Sequence, residues 1–114
     1  MAIARAQDPV GASGANTAIT ATFGSSTTTG NLILVGVAIY GGNDAAGCTD
    51  NKGNTYQEVT QSDGGTLSHV RWFHCPNATG GASHTITVTA TGTYWNLCIV
   101  EYSGAASSMP VLGQ

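Results

Sequence analysis

The stretch from His84 to Thr91 reads HTITVTAT, and its alternation decides the fold class of this chain. Every second residue is threonine, and the residues between the threonines are His84, Ile86, Val88 and Ala90. Because successive side chains of a β-strand point to opposite faces, this pattern puts a mainly apolar row on one face and a hydroxyl row on the other. The stretch therefore predicts a strand with one face in the core and one face toward solvent.

Outward from this strand, the chain continues as short apolar or alternating segments between turn-forming residues, and no segment has a helical period. Asn31 to Tyr40 is apolar on both faces, which predicts a central strand covered on both sides. Asp50 to Asn54 predicts a hairpin turn, and Gly92 predicts another turn. The other predicted strands are Thr17 to Phe23, Thr55 to Gln61, Leu67 to Cys75 and Tyr94 to Tyr102. We expect an all-β fold, a two-sheet antiparallel β-sandwich of jelly-roll or immunoglobulin-like type, with residues 1–114 forming a single domain.

Charged residues make up only 8% of the chain, and the formal net charge is −3. The fixed cations are Arg5, Lys52 and Arg71, too few for the cationic cluster that phosphate binding requires. We therefore expect neither nucleic acid nor an anionic membrane surface as a partner. The longest apolar run, Leu32 to Tyr40, is far shorter than a membrane span, and Met1 to Arg5 lacks the pattern of a signal peptide. We expect the chain to be a module of a longer protein.

Catalytic signals are weak, because the sequence contains no GxSxG, HExxH, P-loop or GxGxxG motif. Glu58 and Glu101 are the residue type that glycosidases use in pairs. Both lie in predicted strands, however, and acids that face solvent or a neighbouring Arg or Lys are the simpler interpretation. We interpret the histidines as surface or rim residues, since their spacing is not compact enough for a metal: His69, His74 and His84. We expect no catalytic residues and no enzyme activity.

Metal ions and disulfides are also weakly indicated. The chain has three cysteines, at positions 48, 75 and 98, and no two of them form a CxxC motif. Three cysteines allow at most one internal disulfide. Asp44 and Asp50 are the only candidates for a calcium ion held between loops. We expect no cofactor, with Ca²⁺ at these two aspartates as the alternative.

The aromatic residues carry the functional hypothesis, because a small sandwich needs only one or two large aromatic side chains in its core. Phe23 and Phe73 alternate with apolar residues and are predicted to be core residues. Trp72 is followed by Phe73, and Trp95 is preceded by Tyr94. Because neighbouring residues of a strand point to opposite faces, one ring of each pair should point outward, and we expect at least one of the two indoles to be exposed. An exposed indole in a chain so poor in charge suits a neutral ring with apolar faces and hydroxyl edges, such as a pyranose.

These considerations predict a carbohydrate site with stacking platforms and hydroxyl partners. If one sugar hides about 60 Å² of apolar surface on a ring, the contact contributes roughly 1.5 kcal/mol. Two or three such platforms, less the ordering costs, give a dissociation constant of about 10 μM to 1 mM. The predicted residues are Trp72 and Trp95 as platforms, Tyr40 and Tyr94 as secondary platforms, and His74, Asn96 and Gln61 as hydroxyl partners, the last three on strand parity and strand-end position only.

Four segments of the chain resemble a widespread bacterial β-sandwich module, and they are similar to the carbohydrate-binding modules of family 81. The segments are GNLILVGVAIY (Gly30 to Tyr40), DNKGNTY (Asp50 to Tyr56), NATGGASHTI (Asn77 to Ile86) and EYSG (Glu101 to Gly104). The resemblance implies a secreted, non-catalytic module that binds β-glucans: cello-oligosaccharides, xyloglucan, mixed-linkage or β-1,3-glucans. It also implies an appended catalytic domain, an endoglucanase, which the module tethers to its substrate. It assigns no ligand contact to a particular residue.

The alternative function is a structural or adhesive module, such as a domain of a surface filament or a phage particle. In that case the exposed aromatic residues contact protein instead of sugar, and open edge strands favour assembly. Assembly without sugar distinguishes this alternative from a carbohydrate-binding module.

Overall fold

The computed structural model describes residues 3–40, 47–63 and 68–104, apart from the side chains of residues 15–17, 59–63, 68–69 and 90–95. Within these ranges the chain contains no helix, and every strand pairing is antiparallel. The predictions of an all-β fold and of two antiparallel sheets are confirmed. The strands are β1 (Ala4–Arg5), β2 (Val10–Thr22), β3 (Leu32–Tyr40), β4 (Gly47–Asp50), β5 (Gln57–Asp63), β6 (Ser68–Cys75) and β7 (Thr85–Ser103).

The 19-residue strand β7 links the two sheets. Its second part, residues 94–103, lies between β3 on one side and β2 and β1 on the other. This sheet continues from β3 through β6 to β5. Its first part, residues 85–89, lies between β4 on one side and the second part of β2, residues 18–22, on the other. Because β2 and β7 take part in both sheets, the described strands form one hydrogen-bonded network.

Gly92 does not turn the chain, contrary to the prediction from sequence. It lies inside β7, where it pairs with Asn16 of β2, and the register between the two strands shifts on both sides of Asn16. A glycine within a strand often marks a bulge or a bend, because it has no side chain to resist the local distortion. The glycine therefore marks the irregular region where β7 passes from one sheet to the other.

The segment after β4 is not the predicted hairpin, because β4 pairs with β7 whereas β5 pairs with β6. The Asp50 carboxylate instead accepts hydrogen bonds from the backbone N–H groups of Lys52 (2.9 Å) and Asn54 (3.1 Å). Gly53 has a φ of +79°, a conformation that favours glycine. The residues predicted to turn the chain do so, but they connect two sheets rather than two neighbouring strands.

Strand β3 is central, as predicted, but it is covered on one face only. The buried row of this strand consists of Ile33, Val35, Val37 and Ile39. On the opposite face, Ala38 and Tyr40 are exposed. The prediction of cover on both faces was wrong, because the apolar character of the second face comes from the small residues Gly36 and Ala38 and not from burial.

The core combines residues from both sheets. Ile86 and Val88, from the alternating stretch of β7, are fully buried, whereas Thr89 on the opposite face is exposed, as the sequence pattern predicts. Phe23 and Phe73 are buried and belong to the same cluster, which confirms them as core residues. The rest of the cluster is Ile19, Ala21, Ile33, Val35, Val37, Ile39, Cys75, Ala78, Leu97 and Ile99. This shared core holds the sheet of β3, β6 and β7 in place and leaves its other face open.

Candidate functional site

The open face of β3, β6 and the second part of β7 carries the largest exposed aromatic side chains among the described residues. The Trp72 side chain is 40% exposed and Tyr40 is 52% exposed, whereas the adjacent Phe73 points into the core. Strand alternation explains this difference, since neighbouring residues face opposite ways. We call this surface the outer face and define it as Gly36, Ala38 and Tyr40 of β3, Val70 and Trp72 of β6, and Asn96 and Cys98 of β7.

A shallow depression of about 210 Å³ lies on the outer face beside Trp72. It extends from β6 across β3 to β7 and is lined by Gly36, Ala38, Val70, Trp72, Asn96 and Cys98 of the outer face, together with Val37 and Leu97, whose side chains belong to the buried core. A depression of this size is smaller than the pocket of a drug-sized ligand, which is about 300–1,000 Å³. Its form suits contact with one face of a flat ring.

Cross-strand pairing brings the residues of the depression together from distant parts of the chain. Gly36 pairs with Trp72 on one side and with Cys98 on the other, and Ala38 pairs with Asn96. None of the side chains in the outer face is charged. The outer face therefore offers an indole, an amide and a thiol around a floor of small residues.

The structure places the predicted site residues unequally. Trp72, Tyr40 and Asn96 lie on the outer face, and Tyr40 is four residues from Gly36, about 13 Å along the strand. Tyr94 pairs through its backbone with Tyr40, and Trp95 pairs with Ile39. The side chains of Trp95, Tyr94 and Gln61 lie outside the described residues. Cys98 was not predicted as a site residue. The available signal was its position two residues after Asn96, because residues two apart in a strand share a face.

His74 does not have the exposure that a hydroxyl partner of a ligand needs. Its side chain is only 4% exposed, and its Nδ1 atom is buried with no hydrogen-bond partner among the described atoms. Leu34 and Gln57 are its cross-strand neighbours. The prediction that His74 contacts sugar is corrected, because so little of this residue is exposed.

We expect the buried His74 to make folding stability fall as the pH drops below about 6.5. Burial lowers the pKa of His74 in the folded chain. Above the unfolded pKa neither state holds the proton, and below it the unfolded chain binds a proton that the folded chain resists. His74→Gln should flatten the fall in melting temperature between about pH 7 and pH 5. Equal slopes for the parent chain and the variant would contradict this role.

Asp50 lies at the centre of a second polar cluster, inside the protein. Its Oδ2 atom accepts hydrogen bonds from Asn54 Nδ2 (2.8 Å), Tyr56 Oη (2.8 Å) and His84 Nε2 (2.6 Å). Its Oδ1 atom accepts the two backbone N–H groups described above. Burial alone would raise the pKa of Asp50, but these hydrogen bonds lower it to about 2. The carboxylate is therefore held ionised by the protein itself.

This cluster corrects two predictions. Asp50 is not available to calcium, because both of its oxygens are occupied by protein donors and its side chain is fully buried. Asp44 lies outside the described residues. His84 is not a surface residue, since it is completely buried between Asp50 and Thr27. The residues that the structure describes contain no group of three or more His, Cys, Asp or Glu side chains that could hold a metal ion.

Thr27, His84 and Asp50 form a hydroxyl–imidazole–carboxylate chain, the order found in hydrolytic triads. The Thr27 hydroxyl hydrogen-bonds to His84 Nδ1 (2.7 Å) and accepts a bond from the Gly81 N–H (3.1 Å). Thr27 is 6% exposed and His84 is 0% exposed. A substrate cannot reach these groups in this arrangement, so the cluster connects loops and strands.

Glu58 and Glu101 do not form a catalytic pair. Glu58 makes an ion pair with Arg71, as the simpler interpretation predicted. Glu101 was expected to face solvent or a cation, but it is buried and accepts hydrogen bonds from Gln7, Asn31 and the backbone of Thr28. The two glutamates lie on β5 and β7, three strand steps apart in the sheet. That separation is about 14 Å, beyond the spacing of either glycosidase mechanism.

Comparisons with known proteins do not name a relative for this chain. No protein-family model, no curated protein and no solved structure matches it. In the described ranges there is no helix of the length and apolar character needed to cross a membrane. The class that the fold and the outer face define is an antiparallel all-β chain with an exposed aromatic surface.

Proposed function

We propose that this protein is a non-catalytic carbohydrate-binding module for β-glucan chains. The observation that carries the proposal is the exposed indole of Trp72 above an uncharged, mostly apolar depression on the outer face. In this proposal the module binds cello-oligosaccharides, xyloglucan, mixed-linkage or β-1,3-glucans. It tethers an appended glycoside hydrolase to its substrate as part of a secreted bacterial protein.

The chemistry of the outer face matches that of a pyranose. The axial C–H groups of a β-linked glucose unit make an apolar face that can stack on the indole of Trp72. The equatorial hydroxyls lie at the edge of the sugar ring, where the Asn96 amide, on the opposite side of the depression, can hydrogen-bond with them. The absence of charge on this face fits a neutral polymer and disfavours nucleic acid and anionic membrane surfaces.

The second exposed aromatic residue favours a polymer over a single sugar. Tyr40 lies about 13 Å along β3 from the strand position of Gly36 and Trp72, so one monosaccharide cannot contact both rings. A chain of several sugars that follows the outer face can contact both. Two platforms correspond to a dissociation constant between about 10 μM and 1 mM.

A sandwich of jelly-roll or immunoglobulin-like type is the finer fold that we propose. Support comes from the core, in which Ile86 and Val88 of the first part of β7 belong to the same cluster as Val35 and Ile99 of the other sheet. Two sheets that share one core in this way are expected to lie face to face. The resemblance of the four sequence segments to family 81 modules implies a β-sandwich as well, and it is part of the same proposal.

The alternative, a structural or adhesive module, is favoured by one observation. Val70 is 37% exposed beside Trp72, so part of the outer face is purely aliphatic and suits contact with protein. Light scattering at increasing protein concentration separates the two functions. A glucan module remains monomeric and binds glucan, whereas an assembly module dimerises or polymerises without sugar.

Affinity gel electrophoresis on a panel of polysaccharides is the direct test. We expect retardation by cellulosic or xyloglucan gels, or by mixed-linkage or β-1,3-glucan gels, and no retardation by α-glucan or polyuronate gels. A parallel panel with a chelator tests the calcium alternative, and retardation should be unchanged. Equal mobility in all gels would overturn the proposal.

Bound glucan should also protect Cys98 from alkylation, because its exposed thiol lines the depression. Cys75 is buried, and burial raises the pKa of Cys48 to about 12, so at about pH 8 Cys98 should react fastest of the three thiols. The labelled residue is identified by peptide mass, with Cys98→Ser as the control. We expect a saturating β-glucan oligosaccharide to slow alkylation several-fold, and an α-glucan to have no effect. An unchanged rate at saturation would place the ligand elsewhere.

A further inference from the structure

Gly36 has no conformational reason to be glycine. It lies in the middle of β3, and it is not among the glycines with positive φ in the described ranges, which are Gly30, Gly53, Gly81 and Gly104. A glycine inside a strand costs conformational entropy and contributes no packing. An explanation for its presence must therefore come from its surroundings.

The surroundings of Gly36 consist of the Trp72 indole. A Cβ atom at Gly36 would lie 2.8 Å from Cζ3, 2.9 Å from Cη2 and 3.2 Å from Cε3 of that ring. These three adjacent carbons belong to the six-membered ring of the indole. Distances below about 3.0 Å are sterically forbidden, so any side chain at position 36 must displace the ring.

We infer that Gly36 is a positioning residue that sets the place of the Trp72 indole on the outer face, and thereby its ability to stack on a glucan chain. This inference rests on the proposed function and names a residue that touches the platform rather than the ligand. Since Gly36 pairs with Trp72 on one strand and with Cys98 on the other, it lies directly beneath the depression. A methyl group there moves the ring relative to Asn96 and Cys98 on the far side.

The Gly36→Ala variant tests whether Gly36 affects the position of the Trp72 indole without affecting folding. The indole is partly exposed and can yield by rotating outward, and the backbone at position 36 accepts alanine. The fold should therefore be retained, while glucan affinity should fall about tenfold, which corresponds to about 1.4 kcal/mol. Gly47→Ala is the matched control, because the nearest atom to its Cβ is 3.6 Å away and it lies in β4, outside the outer face. This control should bind like the parent chain.

A double-mutant cycle with Trp72→Phe tests whether the effect passes through the indole. Phenylalanine lacks the outer part of the indole that approaches Gly36, so Gly36→Ala should weaken the residual affinity of Trp72→Phe by less than about twofold. An equal loss in both backgrounds would overturn the inference. If Gly36→Ala alone unfolds, recovery of the melting transition in the double variant supports the collision, and no recovery overturns it.

The outcomes distinguish this inference from the proposed function. Loss of binding in Trp72→Ala together with parent-like affinity in Gly36→Ala overturns the positioning role and leaves the glucan site in place. Parent-like affinity in Trp72→Ala overturns the glucan site at Trp72, and the positioning role with it. A tenfold loss in Gly36→Ala that disappears in the Trp72→Phe background supports both.

Discussion

Trp72→Ala should abolish retention of the protein in a β-glucan affinity gel while leaving the chain folded, with a cooperative melting transition. The indole is the largest exposed aromatic side chain among the described residues, and it forms one wall of the depression. Its removal leaves Tyr40 as the only exposed ring described on this face, so at least one stacking contact of about 1.5 kcal/mol is lost from weak binding. Because the residue is 40% exposed on the open face, the loss of stability should be smaller than the about 3–5 kcal/mol of a fully buried Trp→Ala truncation.

Ile3→Ala is the matched control for this prediction. Ile3 is also a large exposed apolar residue, at 64%, but it adjoins β1, which pairs with the last residues of β7. Its truncation should change neither retention nor melting. If Trp72→Ala lowers the melting temperature as strongly as a core truncation, then the indole serves the fold and the glucan proposal loses its support. Trp95→Ala, the other indole predicted from sequence, is measured in the same gels.

Asp50→Ala should destabilise the protein by about 3–5 kcal/mol, because it leaves five donors of the cluster without their acceptor. The loss is large against the total of about 5–15 kcal/mol that is typical of a domain. It corresponds to a fall in melting temperature of about 15 °C or more. The donors come from the loop after β4 and from His84, the residue just before β7, so the variant should loosen the connection between the sheets.

Asp8→Ala is the control, since Asp8 makes only an exposed ion pair with Arg5 and its side chain is 94% exposed. Its removal should shift stability by less than about 0.5 kcal/mol. The pH dependence gives a second readout: the pKa of Asp50 is lowered, so its contribution is complete above about pH 4 and declines as the pH falls toward 2. Asp50→Asn should remove this acid-side decline. A melting temperature of Asp50→Ala close to that of the parent would show that the cluster does not stabilise the fold.

For some strands, the residues that face the core could be predicted from sequence. The alternation of β7 identified Ile86 and Val88 as core residues, and the buried row of β3 follows from its apolar run. At Trp72 the same reasoning was weak, because Val70 and His74 on one face and Arg71 and Cys75 on the other are both of mixed polarity. Parity states which residues share a face, but it does not state which face meets the other sheet.

The polar core was beyond sequence reasoning for a different reason. Asp50 and His84 are 34 residues apart, and Gln7 and Glu101 are 94 residues apart. Hydrogen bonds over such separations leave no local pattern, so the two acids were interpreted as a loop residue and a solvent-facing residue. The prediction of a turn at Gly92 was wrong for a related reason. A glycine is compatible with a turn and with a bulge, and only the pairing of the strands around it distinguishes the two.

The amino-acid sequence by itself determined that this chain forms strands, which residues alternate between the two faces of each strand, and that few charges are available for binding. These are local properties, set by side-chain periodicity and composition. Only the tertiary structure decided that Trp72 faces solvent above Gly36, that Asp50 and His84 are joined in the interior, and that Cys98 lies beside the depression. Each of these depends on cross-strand register, and register is fixed by the packing of the whole core and not by any single segment.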